Sequence, residues 1–193
     1  EGGLALSGER ICTVREYASE GLHTLLVLDF IPGTDLGRRV SEGGPLAPER
    51  VAQIGQAAAM TLAAAHRRGI LHGNLTPRNV LLATDGTPWL SDLGTRPTGP
   101  AFLAPEVRNG PQADARGGVY ALGLVLHVAL TGRLPAVPAP FRADGHRPSV
   151  LRPDLPVWLD DIIARATAAL PADRFSSATL LAEMLRRRGG SGR

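Results

Sequence analysis

The sequence predicts an α+β chain whose body is mainly helical. Three observations carry this. Two short β-branched and aromatic runs lie near the start, a long apolar stripe at helical spacing begins at Pro48, and a nearly unbroken apolar stretch at 119–131 precedes two further amphipathic segments. With 193 residues, 44% hydrophobic and 20% charged, the chain can bury a sizeable core and lacks the composition of a disordered tail.

In chain order, residues 11–17 (ICTVREY) and 24–31 (TLLVLDFI) predict two strands, and the polar, glycine-containing ASEGLH between them predicts a hairpin. PGTDLGRRVSEGGP reads as loop with one helical turn. From Pro48, the residues Val51, Ile54, Ala58, Leu62 and Ala65 form one helical stripe. Pro48 suits the first turn, and His66, Arg67, Arg68 and Gly69 suit the end. Short extended pieces follow at 70–72, 79–82 and 88–91, with the turn TDGTP between the last two. Residues 119–131 show little polar face, as a helix buried on all sides does. Segment 132–155, rich in Pro and Gly, reads mostly as loop. Pro156 opens a helix carrying Trp158, Leu159, Ile162, Ile163 and Ala166 on one side. A last helix, opened by Ser176 or Ser177, carries Leu180, Leu181, Met184 and Leu185 and runs through Arg186, Arg187 and Arg188 into a GGSGR tail.

Composition narrows the function classes. The net charge is only +3, which gives no electrostatic case for nucleic acid. All 21 basic residues are Arg, so any chemistry that needs a lysine has to find it outside these residues. That usage resembles the coding bias of a high-GC bacterial genome. Cys12 is the single cysteine, which fits a reducing, cytoplasmic setting, and the histidines show no metal-ligand spacing. The longest apolar run, VYALGLVLHVAL, is too short to span a bilayer, and there is no secretory signal. The chain opens at Glu1 with no initiating methionine, so the expectation is a piece of a larger protein, either cytoplasmic or on the cytoplasmic side of a membrane-anchored parent.

Five segments, in order, resemble the protein kinase family. HGNLTPRNVLL matches the catalytic-loop pattern H-R-D-L-x-x-x-N at His72, Leu75 and Asn79. Asp92-Leu93-Gly94 is similar to D-F-G, and Ala104-Pro105-Glu106 to the A-P-E that closes the activation segment. VYALGLVLHVALTGRLP resembles the buried central helix of the large lobe. PADRFSSATLL resembles the segment whose arginine, here Arg174, pairs with the A-P-E glutamate.

The resemblance implies a protein-kinase-like fold: residues 1–31 a remnant of the small-lobe β-sheet, 32–188 the helical large lobe, 189–193 a linker or tail. It places Asp29 and Ile31 at the hinge and Asn79 and Asp92 where Mg²⁺ would be held. His72, Leu93, Gly94, Glu106 and Arg174 become structural residues. It also exposes departures. Asn74 stands where the family has its aspartate base, Thr76 where Ser/Thr kinases carry a lysine, Gly73 where an arginine grips a phosphorylated activation loop, and Gly118 where an aspartate hydrogen-bonds the catalytic-loop backbone. An amide can orient a hydroxyl but has no useful basicity. Losing a base is worth about 10²–10⁴ in rate, and losing a charge-stabilising donor about 10²–10³. These departures imply a domain that is not an enzyme, a pseudokinase with no cofactor beyond residual Mg-ATP, acting as a module that binds other protein domains. The alternative is a piece of an active or weakly active ATP-dependent serine/threonine kinase, since phosphoryl transfer depends mostly on positioning and electrostatics.

Overall fold

The hairpin forms where the β-branched runs place it. In the computed structural model, which describes residues 10–21, 23–108, 114–135 and 146–189, β1 (Val14–Glu20) pairs antiparallel with β2 (His23–Leu28) in a two-stranded sheet. The first strand begins three residues later than its apolar run. Ile11 instead makes a parallel bridge to Leu90, and Cys12 N–H donates to Leu90 O at 2.8 Å, so residues 10–12 lie along the helical body.

A second sheet forms on that body from three short strands: β3 (Gly33–Asp35), β4 (Val80–Ala83) and β5 (Pro88–Leu90), antiparallel in that order. Strand β3 sits in a segment expected to be loop. Gly33 permits it, because a Cβ there would lie 2.0 Å from the Leu82 carbonyl oxygen. The expected extended piece at 70–72 does not join a sheet.

Helix α1 (Leu36–Gly43) is two turns, longer than the single turn read from its Arg- and Gly-rich sequence. Asp35 caps it by accepting the Arg38 N–H at 2.8 Å, and Leu36 and Val40 tie it to the core. Helix α2 (Pro48–Arg67) buries Val51, Ile54, Ala58, Leu62 and Ala65, and packs against α4 (Ala115–Thr131) and α6 (Ala178–Gly189). Helix α3 (Pro105–Arg108) is a single turn that starts within the A-P-E segment, and α5 (Val157–Ala166) packs on α4 and α6.

The central helix begins at Ala115, four residues before its apolar run. Asp114 caps its N-terminus, so Gly117 and Gly118 are helical despite low propensity. Gly132, at φ +70°, ends it. Helix α4 is buried on nearly every face, with Val119, Leu122, Leu124, Val125, Leu126 and Leu130 all at 0% exposure. Ser177 rather than Ser176 serves α6, its Oγ accepting the Leu180 N–H at 3.2 Å. Among the described residues, no helix is long and apolar enough to cross a membrane. The first nine residues and residues 190–193 of the expected tail lie outside the described residues.

Candidate active site

The site is built where α2 ends and the chain turns back beneath the three-stranded sheet. Arg68 and Gly69 close α2, and residues 71–79 form a loop anchored by His72 and Leu75, 1% and 3% exposed. Pro77–Asn79 make a single 3₁₀ turn, with Asn79 N–H donating to Thr76 O at 3.0 Å. That turn holds Thr76 beside Asn74 and feeds Asn79 directly into β4.

Asn74 is nearly buried and is the hub of a hydrogen-bond chain. Asn79 Nδ2 donates to Asn74 O at 2.6 Å; Asn74 Nδ2 donates to Thr95 Oγ1 at 3.4 Å; the Thr95 hydroxyl donates to Asp92 O at 2.8 Å. On its other side, Asn74 Oδ1 accepts from the Thr98 N–H at 3.2 Å and the Thr98 hydroxyl at 3.3 Å. The catalytic loop and the activation segment, more than twenty residues apart, therefore meet at the Asn74 amide, and Thr95 extends the contact to the Asp92 backbone.

Gly73 makes that meeting possible. Its φ is +77°, and a Cβ would lie 2.8 Å from the Thr95 carbonyl oxygen, so a side chain would push the activation segment off the loop. Asp92 is the one non-glycine among the described residues with positive φ, at +58°. Such a conformation costs about 1–3 kcal/mol and persists where neighbours over-determine it. Here Thr95 N–H donates to Asp92 O at 3.3 Å, Gly94 N–H to His72 O at 2.9 Å and Ser91 N–H to Asn79 O at 3.0 Å. The Asp92 carboxylate carries no hydrogen bond or ion pair among the described residues. Its charge reaches Cys12, whose thiol is pushed up by burial first, then by Asp29 and Asp92. Asn79 spends its amide nitrogen on Asn74, which leaves an oxygen beside that carboxylate's segment. Oxygen atoms from an amide and a carboxylate are ligands a hard cation takes.

Leu93 is half-buried, and Gly94 takes a left-handed turn at φ +75°. His72 is held as neutral imidazole, burial pushing its pKa down to about 4, and neither ring nitrogen has a partner among the described residues. The sequence reads His66 only as a helix-end residue, yet its ring lies against Gly118, where a Cβ would lie 3.2 Å from Nε2. His66, His72, Asn74, Thr76 and Gly118 line one small cavity behind the loop, so the missing aspartate's place is filled by an imidazole. Thr95 and Thr98 were also missed, because contacts across that sequence separation leave no periodic trace. Asp29 is engaged internally: its N–H donates to Thr13 O, its carbonyl accepts from the Cys12 thiol at 2.9 Å, and its carboxylate pairs with Arg15. Ile31 is half-buried between β2 and β3.

Glu106 and Arg174 form a bidentate ion pair at 2.7 and 2.8 Å. All five guanidinium donors are used, since Nε donates to Ala168 O, and the terminal nitrogens also reach Arg116 O and Ala169 O. The Tyr120 ring lies 4.7 Å away. One buried cation thus ties α3, α4 and the turn before α6 together.

Comparison with known proteins places this geometry. The protein kinase domain family matches residues 4–147. Serine/threonine-protein kinase PknL of Mycobacterium tuberculosis is 33% identical over 90% of this chain and 49% of its own length. Serine/threonine-protein kinase PkaA of Streptomyces coelicolor is 35% identical over 92% of this chain and 36% of its own. The chain therefore spans half the length, or less, of these curated relatives. The crystal structure of the M. tuberculosis PknI kinase domain superposes with a TM-score of 0.84 at 30% identity, over 97% of this chain and 75% of that one. These likenesses overturn the expectation of a non-enzyme, since relatives along nine-tenths of the chain are named as kinases. In the structure the amide at position 74 stays hydrogen-bonded to Thr95 and Thr98, so the loop keeps its contacts with the activation segment although the carboxylate is gone.

Proposed function

Because this chain belongs to the protein kinase domain family, we propose that it is the large-lobe portion of a bacterial serine/threonine protein kinase, transferring the γ-phosphate of ATP at a modest rate. The observation that supports this reading is the hydrogen-bonded run Asn79–Asn74–Thr95–Asp92, which holds both candidate Mg²⁺ residues in one assembly. The Asn74 Nδ2 hydrogen not used by Thr95 would orient the acceptor hydroxyl, without acting as a base. Asn79 and Asp92 would hold Mg²⁺ through their side-chain oxygens, and the strained backbone of Asp92 is the conformational cost of aiming its carboxylate. Bound there, Mg²⁺ would neutralise charge on the β- and γ-phosphates. Glu106 and Arg174 fix the platform on which the acceptor peptide lies.

Typical kinase turnover is roughly 1–100 per second, and absence of a base lowers it by about 10²–10⁴, to about 10⁻⁴–1 per second. Penalties within one catalytic unit do not multiply in full, so the threonine at 76 need not lower it much further. The test is phosphate transfer by the intact protein to a threonine peptide. Transfer that disappears in Asp92→Ala is the expected result; transfer no greater than in Asp92→Ala contradicts the proposal.

A further inference from the structure

An open groove of about 770 Å³ lies beside the catalytic loop, lined by Arg38, Thr76 and Arg78 along one wall and by Thr98, Gly99 and Phe102 of the activation segment along the other. Its size suits a bound ligand. Its Thr98 is hydrogen-bonded to Asn74 Oδ1, so on the kinase reading its occupant is the acceptor peptide.

The charge in this groove is specific. In the Pro77–Asn79 turn the residues on either side of Arg78 are buried, so the turn presents Arg78 outward to solvent. Its stem rests against the first turn of α1, where a Cβ on Gly37 would lie 3.6 Å from Arg78 Cγ. Among the described residues its guanidinium has no ion pair and no hydrogen bond. Two other charges line it. Arg38 pairs with Glu42 through Nε at 2.7 Å, and the Asp35 carboxylate accepts the Arg38 N–H at 2.8 Å while keeping its negative charge. Arg78 is therefore the groove's cation without an ion pair among the described residues, and Arg is the side chain best suited to grip a carboxylate with two parallel hydrogen bonds.

We propose that Arg78 is a specificity-determining residue that selects acceptor peptides carrying a glutamate or aspartate close to the accepting hydroxyl. This rests on the kinase reading, but it is a statement about binding as well as about turnover.

The experiment uses the intact protein and a fluorescein-labelled threonine peptide, with glutamate or its neutral isostere glutamine placed at each position flanking the threonine. Binding is followed by anisotropy and transfer by phosphate incorporation. At one or two positions glutamate improves binding by about three- to fivefold, the scale of a partly exposed ion pair. Arg78→Glu reverses the preference, so that a lysine peptide outbinds the glutamate one. A wild-type protein indifferent to glutamate and glutamine, or a preference that survives Arg78→Glu, overturns the proposal. Should thermal unfolding show that Arg78→Glu does not fold, Arg78→Gln decides in its place: it abolishes the preference if the proposal holds, and retained preference overturns it. Glutamate preference in binding with no phosphate transfer defeats the kinase reading and leaves the groove assignment standing. Transfer without preference does the reverse, and absence of both binding and transfer defeats the two together.

Discussion

Single residues in this chain do work that their types alone conceal. Gly73 reads in sequence as the loss of an arginine, but the structure shows that its positive φ and its approach to the Thr95 carbonyl require a glycine. Gly73→Ala is therefore expected to destabilise by about 1–2 kcal/mol and to loosen the activation segment, measurable as a lower unfolding temperature and faster amide exchange at Thr95. Arg174 was legible because its partner sits in a motif, yet its five satisfied donors were not. Arg174→Met should cost about 3–5 kcal/mol by leaving the Glu106 carboxylate partly buried and unpaired. The double variant with Glu106→Gln should cost less, and denaturant unfolding of the set checks the order. If the single variant were the milder of the two, the pair would not be the structural tie described above.

At the scale of elements, the long helices were readable because burial imposes a period on the sequence. Helix α2 follows its stripe from Pro48, and the apolar run of α4 marks a helix enclosed by α2, α5 and α6. What escaped were elements held by tertiary contacts against local propensity. Strand β3 exists because Leu82 offers a ladder, α1 gains its second turn by burying Val40, and the glycines opening α4 are held by the Asp114 cap. The helical bundle also depends on small residues at its crossings. At Gly123 a Cβ would lie 2.7 Å from Thr167 Cγ2 and 2.9 Å from Ala166 Cβ, so α4 and α5 touch there. Gly123→Val should cost more than the roughly 1–3 kcal/mol typical of overpacking, because two helices have to separate. An unchanged unfolding midpoint would show that the crossing is looser than these distances state.

For the whole molecule, two buried imidazoles tie stability to pH. Burial pushes both His72 and His127 down to about 4, whereas in the unfolded chain they titrate near about 6.5. Between those values the unfolded chain binds more protons, so stability rises with pH; it is full above the unfolded value and is lost as pH falls toward 4. At pH 5 each imidazole should cost about 2 kcal/mol relative to neutral pH. Thermal unfolding of the wild type against a His72→Gln, His127→Gln variant would detect this as a flatter pH profile in the variant. At the candidate active site, family membership and the amide at position 74 pull in opposite directions. The direct measurement is the rate of γ-phosphate transfer by the intact protein and its Asn74→Asp and Asp92→Ala variants. The account predicts slow transfer in the wild type, a rise of about 10²-fold or more when the base is restored, and loss with Asp92→Ala. Wild-type transfer indistinguishable from Asp92→Ala, with no gain in Asn74→Asp, would contradict it.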